Sequence, residues 1–462
     1  MRQPIIYTIL FVLLTASGCS FIANANEESG EKMGNQAMYD VSIETDISEF
    51  EEYHMTAHYP QTPNNQIDQT IIDYVNQQKA LFKQESYKSK QKNDGSQAHE
   101  LHIDFEVIHQ NQRFFVVRFI ETIDLGEGGV MTKQTVLNFD KKNGKALSLE
   151  ELFKEDIYYV DRLHDWTKEK LIDAGEENAK LLDKLEAKPA FYEDVALTGE
   201  GVLVFINDPA SEEPLRVMIE KDKVSKLLRS DYADAFKEAA EVGAKPTSEN
   251  QGSDNKYQDF SLENHLHGEG KEVALTFDDG PHPEVTRKIL DVLDKYEAKA
   301  SFFMIGKRVG YYPEVAREVS ERGHEIGNHT WNHPRLGRLS DEQINQQISS
   351  TQTILEQVTG QRVDLLRLPF GNLPSANYQE EGNVVPWTIY SEKWEDQKPE
   401  AVAEDILSEV EEDSIILLHD LQLSTVETVD LLLEKLYAKG YEVVPVGHLI
   451  DKQEEAGTKL SL

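Results

Sequence analysis

The sequence is poor in cysteine and in positive charge. Its one cysteine, Cys19, excludes a disulfide within the chain, so packing alone must stabilise the fold. Lys and Arg number 47 against 84 Asp and Glu, which gives a formal net charge of -37. A surface of that sign repels phosphate groups, which argues against nucleic acid as a partner. The 462 residues, 39% of them apolar, are enough for two or three domains with sizeable cores.

The N-terminus has an apolar stretch, but one shorter than a bilayer-spanning helix. A short charged head precedes residues 5–14, and small residues separate that stretch from Cys19. Crossing a bilayer takes about 20 apolar residues, so this pattern predicts a secretory signal over residues 1–18. Cys19 lies where a bacterial lipoprotein signal has its lipidated residue. We therefore expect a lipid on Cys19 and a location on the extracytoplasmic face of a bacterial membrane; the alternatives are an ordinary signal peptide and an uncleaved anchor.

Composition divides the remaining chain into four parts. They are a polar tether (19–36), an α+β accessory region (37–242), a linker (243–267) and a C-terminal domain (268–455). In the accessory region, residues 102–119 and 201–207 are rich in β-branched and aromatic side chains, whereas residues 66–83 and 160–186 have helical spacing. This mixture indicates one α+β unit or two small subdomains.

The C-terminal domain alternates short apolar runs with longer amphipathic segments. The seven runs are residues 273–277, 300–305, 324–328, 363–367, 384–389, 414–419 and 441–446. Helical segments between them include residues 283–297, 340–359, 400–411 and 424–439. The alternation predicts an α/β fold with a parallel sheet or barrel, whose active site lies at the carboxyl ends of the strands.

Side chains capable of catalysis follow several of these runs. Two His-x-x-x-His pairs occur, His54 with His58 and His329 with His333. The first pair lies in an extended context, where residues four apart are about 13 Å from each other, too far to share an ion. The second pair ends at Pro334 and fits one helical turn, which would place both imidazoles on one face. Only the second pair is predicted to chelate a metal.

Asp278 and Asp279 stand side by side after the first run, where their charges repel each other. Two imidazoles and one carboxylate form a common catalytic metal set. With Asp279 as the third ligand, a cation would offset the repulsion and Asp278 would be free to take a proton from water. Gly280 and Pro281 predict the sharp turn that holds both acids at the strand end.

Four segments resemble signature motifs of the polysaccharide deacetylases, the NodB-homology or carbohydrate esterase family 4. These segments are TFDDGP (276–281), HTWNH (329–333), RLPFG (367–371) and LLH (417–419). The resemblance covers residues 268–450 and keeps the family's motif order and spacing. It implies an α/β fold of the family type, a distorted, incomplete (β/α)7 barrel, preceded here by the α+β region.

The resemblance also implies a role for each matched residue. Asp278 would be the general base, and a divalent metal, zinc first with cobalt, nickel or manganese as alternatives, would bind Asp279, His329 and His333. Arg367 would position Asp278, and His419 would protonate the departing amine. The backbone N–H of Phe370 would stabilise the oxyanion, and Leu417 would line the acetyl pocket.

One family motif is altered. Its two aspartates, which support the catalytic histidine, are replaced here by Tyr390 and Lys393. A lysine near His419 would lower its protonated fraction; Glu392, Glu395 and Asp396 are alternative carboxylates nearby. The alteration leaves weak, changed or lost activity as an alternative. Trp387 and Trp394 are candidates for walls that stack on sugars, with core packing as the alternative.

The accessory region has a weaker resemblance of its own. Residues 136–153 resemble a module found beside such deacetylases and in lysozyme-sensing anti-sigma factors of Gram-positive bacteria. Asn143-Gly144 predicts a turn after a strand, and Ser148 predicts the start of a helix. The alternative interpretation is a plain hairpin followed by a helix.

These features predict a monomeric, metal-dependent N-deacetylase that acts on an acetylated amino-sugar polymer, peptidoglycan first among them. Membrane tethering favours the producer's own cell wall over soluble chitin. The sequence does not separate N-acetylglucosamine from N-acetylmuramic acid. An O-acetyl esterase acting on wall polymer or xylan is a second hypothesis. A non-catalytic glycan-binding or sensing lipoprotein is a third.

Overall fold

The structure is a computed structural model in which most of the chain beyond Tyr39 is described. The described ranges are 39–50, 52–91, 98–126, 129–155, 158–173, 179–182, 185–206, 214–233, 271–371, 383–391 and 398–455. The predicted signal, Cys19, the tether and the linker 243–267 lie outside these ranges, as do Lys393 and Trp394. The chain divides into a unit Met1–Gln36 and a compact unit Ala37–Leu462.

The first sheet of the accessory region has six strands in sequence order. They are β1 (Ser42–Glu49), β2 (Tyr53–Gln61), β3 (His99–Gln110), β4 (Phe114–Asp124), β5 (Val130–Asp140) and β6 (Lys145–Ala146). Helix α1 (Asn65–Lys90) connects the parallel pair β2 and β3, and the other pairs are antiparallel. The side chain of Asn64 caps α1 by accepting hydrogen bonds from the N–H groups of Gln66 and Ile67.

A second, three-stranded antiparallel sheet packs on the first. Its strands are β7 (Val195–Thr198), β8 (Gly201–Ile206) and β9 (Leu215–Glu220). Short and medium helices accompany it, namely α2 (Leu149–Leu152), α3 (Tyr159–Asp173), α4 (Ala179–Leu182), α5 (Lys221–Val224) and α6 (Ser230–Ala233). Successive residues of β4 point to opposite faces, so Phe114 and Val116 join the core of the second sheet, whereas Phe115 and Val117 join the core under α1.

The C-terminal domain is built on a seven-stranded sheet whose pairings are all parallel. Its strands are β10 (Lys271–Asp278), β11 (Ser301–Met304), β12 (Glu325–Asn328), β13 (Leu365–Leu366), β14 (Asn383–Val384), β15 (Ile415–His419) and β16 (Tyr441–Val443). The order is β14-β13-β12-β11-β10-β15, and β16 pairs with the start of β10. This open, curled sheet confirms the predicted distorted and incomplete (β/α)7 barrel.

In the described part of this domain, seven helices accompany the sheet. They are α7 (Val285–Lys295), α8 (Gly306–Tyr311), α9 (Pro313–Glu321), α10 (Asp341–Thr359), α11 (Pro399–Glu409), α12 (Leu423–Ala438) and α13 (Val446–Glu455). Alternate strand residues face two different cores: Leu275 packs among the helices of the main core, whereas Ala274 packs beside residues of α13. The strands are therefore buried on both faces, as parallel sheets are.

Several predicted elements differ in detail. Residues 102–119 span two strands, because the Asn111 side chain accepts hydrogen bonds from the N–H groups of Arg113 and Phe114 and forms a turn. The run 384–389 is mostly irregular: β14 ends at Val384, Pro386 lacks an N–H, and Ile389 makes only an isolated bridge to Ile416. Helices α8, α9 and α13 were not predicted.

The local structure at residues 136–153 follows the sequence pattern. Gly144 adopts φ 67° in the turn between β5 and β6. Ser148 caps α2 in a capping box with Glu151. The resemblance of this segment to the anti-sigma-factor module stays a prediction.

Among the described residues, none of the helices combines the length and the apolar character needed to cross a bilayer.

The accessory region docks on the barrel through both apolar and polar contacts. Tyr312 and Val315, at the start of α9, belong to the apolar core of the first accessory sheet. The Tyr312 hydroxyl donates to the carbonyl oxygen of Ile43 (2.9 Å) and accepts from its N–H (3.1 Å). The side chain of Arg338 pairs with Asp124 at 2.6 Å. Residues far apart in sequence therefore share one core.

Gly327 in β12 offers a test of the packing inside the barrel. A Cβ there would lie 2.3 Å from Cδ1 of the fully buried Phe303, so we expect Gly327→Ala to lower the free energy of unfolding by about 1–3 kcal/mol. Gly310→Ala is the matched control, because its Cβ would meet only Cδ1 of Ile354 at 3.4 Å. Urea unfolding of both variants measures the difference, and equal stabilities would contradict the packing described.

Candidate metal centre and active site

Parallel pairing places the ends of four strands at one edge of the sheet. Asp278, the last residue of β10, is paired with His419, the last residue of β15. Asn328, the last residue of β12, is paired with Leu366 of β13. His329 and Arg367 follow these two residues directly, so the topology gathers the predicted catalytic and ligand side chains at one site.

Asp279 lies at the centre of this site. It adopts φ 75°, a left-handed conformation that turns its carboxylate away from the strand direction. Oδ1 lies 3.4 Å from Nε2 of His329 and 3.5 Å from Nε2 of His333. One ligand atom from each of the three residues falls within 4.8 Å of the others, and all three side chains are buried. Among the described residues, this is the only such group found.

The two histidines do not lie on a helix, so the predicted helical turn is wrong. Thr330 (φ 66°) and His333 (φ 58°) are left-handed, and the segment is an irregular loop. The side chain of Gln347 on α10 accepts hydrogen bonds from the N–H groups of Trp331 and Asn332 (2.9 and 3.2 Å). This loop still brings the imidazole centroids within 4.9 Å of each other.

The outer nitrogens of both imidazoles are occupied by hydrogen bonds. Nδ1 of His329 lies 2.9 Å from the carbonyl oxygen of Arg367, which can only accept, so Nδ1 carries the proton. Nδ1 of His333 lies 3.2 Å from Oγ1 of Thr56, a residue of the accessory region. Both Nε2 atoms therefore face Asp279, as ligand nitrogens would.

The charges fit a cation at this position. Burial would raise the pKa of Asp279, but the imidazoles of His333, His329 and His419 lower it below its ordinary value. Burial also lowers the pKa of His333 well below its usual range, although the carboxylate of Asp279 opposes this shift. Oδ1 of Asp279 is buried and accepts no hydrogen bond of good geometry from the described residues. One anionic oxygen and two imidazole nitrogens match the donor set that Zn²⁺ and related ions prefer.

Asp278 is held apart from this set by Arg367. Its Oδ1 accepts a hydrogen bond from Nη1 of Arg367 at 2.8 Å, while Oδ2 lies 3.7 Å from Nε2 of His329. The Arg367 guanidinium is fully buried and also donates to Oγ1 of Thr276 and to the carbonyl oxygens of Val385 and Pro386. The Arg367 guanidinium thus fixes one carboxylate oxygen of Asp278, and the other oxygen faces the site.

The turn after the aspartates depends on Gly280. A Cβ there would lie 2.3 Å from a carboxylate oxygen of Asp420, so no larger residue fits. The Gly280–Pro281 bond is cis, and Nε of Arg308 donates to the carbonyl oxygen of Pro281. Burial raises the pKa of Asp420 to about 7, and this carboxyl also accepts a hydrogen bond from the Thr286 hydroxyl. Sequence reasoning missed Asp420, although it directly follows His419.

His419 faces Oδ2 of Asp279, whereas the two ligand histidines face Oδ1. Its Nε2 is 3.8 Å from Oδ2 of Asp279, and burial lowers the pKa of the imidazole below its ordinary value. The ring of Tyr390 lies edge-on to it, with 6.1 Å between centroids. Leu417 and His419 both border a cavity of about 10 Å³. His419 is therefore within reach of the site. The ring beside it belongs to Tyr390, the residue at a position where the family motif has an aspartate.

The remaining predicted residues fall in different surroundings. Phe370 adopts φ 57° in the 3-10 turn Pro369–Gly371, and its ring meets the His333 imidazole edge-on at 4.6 Å. Trp387 is half-buried and packs against the core beside α13, which favours the core-packing interpretation for this residue. Trp394 lies outside the described residues.

Two residues of β2, His54 and Thr56, lie next to the site, and sequence reasoning did not predict this. Besides the Thr56 contact, the His54 imidazole stacks on the Phe370 ring with centroids 4.4 Å apart and an angle of 9°. Sequence reasoning correctly placed His54 and His58 in an extended segment, the strand β2. The alternation of β2 indicated that His54, Thr56 and His58 share a face, but it did not indicate what that face contacts.

Comparisons with known proteins bear on this site. A family model for polysaccharide deacetylases matches residues 266–382. Peptidoglycan-N-acetylmuramic acid deacetylase PdaC of Bacillus subtilis is 28% identical over 430 residues, which cover 90% of each chain. A solved structure of PdaC is 37% identical, with a TM-score of 0.40, and covers 42% of this chain and 96% of that one.

A further relative decides the family. A peptidoglycan-N-acetylglucosamine deacetylase of Bacillus cereus is 34% identical over 189 residues, which are 39% of this chain and 88% of that protein. The chain belongs to the polysaccharide deacetylase family. The predicted carbohydrate esterase family 4 membership is thereby confirmed. The buried Asp-His-His group is consistent with the metal dependence of this family.

Metal binding is the first test of the site. We expect His329→Gln and His333→Gln each to weaken zinc or cobalt binding by more than about 100-fold. Loss of the group that hydrogen-bonds a ligand histidine already weakens metal binding by about 10–100-fold, and each of these variants removes the ligand itself. Calorimetric titration of metal-free protein measures the affinity. His448→Gln is the control, because His448 contacts Glu272 at 3.1 Å, away from the site. Unchanged affinity in either ligand variant would contradict the assignment.

Proposed function

We propose that this chain is a metal-dependent hydrolase that removes N-acetyl groups from the amino sugars of peptidoglycan. The observation that carries the proposal is the buried Asp278, fixed by Arg367 at 2.8 Å beside the Asp279, His329 and His333 group. A base next to a metal set, at the strand ends of a family barrel, supports amide hydrolysis better than binding alone.

The proposed mechanism begins with Asp278 as general base. When bound, a divalent metal supplies a Lewis acid that makes water a stronger acid and polarises the acetyl carbonyl. Arg367 keeps Asp278 oriented, so the free Oδ2 can take the proton of the attacking water. The carbonyl carbon gains a bond to the water oxygen, and the backbone N–H of Phe370 is proposed to donate to the resulting oxyanion.

The second half of the reaction needs an acid. The amine of an amide is a poor leaving group, so it must gain a proton as the C–N bond breaks. His419 is proposed to give this proton, because its Nε2 lies 3.8 Å from Oδ2 of Asp279, the oxygen that the ligand histidines do not face. As acetate and the free amine leave, Asp278 releases to solvent the proton that it took from water and His419 takes a proton from solvent, so both groups return to their starting forms. Leu417 lines the acetyl side.

The substrate proposal is supported by the relatives. PdaC, similar over 90% of both chains, is named as a deacetylase of N-acetylmuramic acid, and the Bacillus cereus relative as one of N-acetylglucosamine. The similarity to PdaC includes the accessory region as well as the barrel, so N-acetylmuramic acid in peptidoglycan is the first substrate to test.

Zinc is the proposed metal, because two imidazoles and one carboxylate with an open position are typical of catalytic zinc sites. Cobalt, nickel and manganese are the alternatives. A lipid on Cys19, a location on the outer face of a bacterial membrane and a monomeric state complete the proposal. The signal pattern supports the first two, and a membrane tether suits a substrate that surrounds the cell.

Acetate release tests the activity. We expect the zinc-loaded protein, residues 20–462, to release acetate from peptidoglycan glycan strands, and Asp278→Asn to reduce the rate by at least about 100-fold, because a general base contributes about that much. Asp364→Asn is the control, because this exposed carboxylate pairs with the exposed Arg362, away from the site. Binding of glycan without acetate release would instead support the non-catalytic hypothesis.

Acetyl ester hydrolysis is the second candidate function, and one observation favours it. Tyr390 stands where the family motif has an aspartate, and burial lowers the pKa of His419. Fewer protonated imidazoles are then available at neutral pH, which slows amide hydrolysis more than ester hydrolysis. Turnover of an acetyl ester but not of N-acetylated glycan would support this function.

Tyr390→Asp tests the role of His419. A carboxylate at this position should raise the pKa of His419, and one pKa unit raises the protonated fraction about tenfold at a pH above the pKa. We expect faster amide hydrolysis and an unchanged ester rate. The pH at which amide hydrolysis declines, as His419 loses its proton, should shift upward. Tyr390→Asn is the matched control, and equal amide rates of the two variants would exclude this account.

A further inference from the structure

Strand β2 of the accessory region lies against the site. His54, Thr56 and His58 share one face of the strand because side chains alternate. His54 stacks on Phe370, and Thr56, which is 2% exposed, contacts Nδ1 of His333 at 3.2 Å. One strand of the accessory region therefore contacts both a proposed metal ligand and the loop of the proposed oxyanion donor.

Two further imidazoles hold the residue before His333. Nε2 of His58 and Nε2 of His102 lie 3.0 and 2.7 Å from the carbonyl oxygen of Asn332. A carbonyl oxygen has two lone pairs and only accepts, so both rings carry a proton on Nε2. Burial lowers the pKa of His58 to about 3, which keeps this ring neutral and leaves its Nδ1 as an acceptor. The Thr45 hydroxyl, 2.9 Å away, is then the donor to it.

Other contacts fix the same loop. Nδ2 of Asn332 donates to Oδ2 of Asp104 at 2.7 Å, and Asp104 also forms an ion pair with Lys307. The N–H of Arg335 donates to Oε1 of Glu100 at 3.1 Å. Residues on both sides of His333 are thus bonded to the accessory region.

The two ligand histidines differ in the hydrogen-bond partner of their outer nitrogen, Nδ1. Nδ1 of His329 is held by a carbonyl oxygen of the barrel itself, that of Arg367. Nδ1 of His333 is held by a hydroxyl of the accessory region. The group on the outer nitrogen of a ligand histidine sets its tautomer and ring orientation, and its loss typically costs about 10–100-fold in metal affinity.

We infer that the accessory region is a structural part of the metal centre, with Thr56 as a positioning residue that orients His333 for the metal. The inference rests on the proposed function, since it requires that the site binds a metal. The Thr56 hydroxyl accepts the Nδ1 proton of His333, and the His58 and His102 imidazoles fix the preceding carbonyl. His333 then presents Nε2 to the position beside Asp279.

Cobalt binding by the full chain separates positioning from simple packing. Thr56→Val keeps the shape of the side chain and removes the hydroxyl. We expect it to bind Co²⁺ about 10–100-fold more weakly, with a changed visible absorption of the bound cobalt. Thr56→Ser restores the hydroxyl and should recover both. Thr198→Val is the matched control, because the Thr198 hydroxyl bonds the carbonyl oxygen of Gly201 in a different sheet.

The outcomes are distinct. Equal cobalt affinity and an unchanged spectrum in Thr56→Val would overturn the inference, whereas failure of the wild-type protein to bind cobalt would overturn the proposed function instead. If Thr56→Val does not fold, His102→Leu decides, because it removes one donor to the Asn332 carbonyl and leaves Thr56 and His333 in place. Weaker cobalt binding by His102→Leu supports the inference, and wild-type binding refutes it.

Discussion

Two carboxylates are buried side by side at the end of β10, and the rest of the site compensates for their charge. Their repulsion would be severe in a medium that solvates ions poorly. Arg367 neutralises Asp278 through a hydrogen bond of 2.8 Å, and imidazoles surround Asp279. The two acids consequently have different surroundings, which is how neighbouring carboxylates acquire different chemical roles. The proposed cation between Asp279 and the histidines would complete this division.

The compensation extends beyond the barrel. Arg308 is fully buried, donates to the carbonyl oxygen of Pro281 beside the aspartates and donates to Oγ1 of Thr45 in the accessory region. Thr45 in turn contacts His58, which reaches the loop of the ligand histidines. A chain of hydrogen bonds therefore joins the turn after β10, the accessory sheet and the histidine loop.

The sequence predicted the barrel and the site far better than it predicted the surroundings of the site. The runs 273–277 and 414–419 are strongly apolar, so the strands that end at Asp278 and His419, and the edge that they share, followed from pattern alone. The loop of His329 and His333 was taken for a helical turn, because residues four apart meet on a helix and no local signal marks left-handed residues such as Thr330. The contact of Thr56 with His333 depends on how the accessory region docks on the barrel, and no periodic pattern in the sequence predicts that docking.

The Thr56–His333 contact joins two regions that are distant in the chain. The two residues are 277 positions apart in the chain, and contacts of such high sequence separation are costly to close and form slowly. The barrel can bring Asp279 and His329 together from its own strands, but His333 acquires its outer hydrogen bond only after the accessory sheet has docked. The ion site is therefore complete only in the docked protein, and an undocked barrel would present one imidazole without its outer partner.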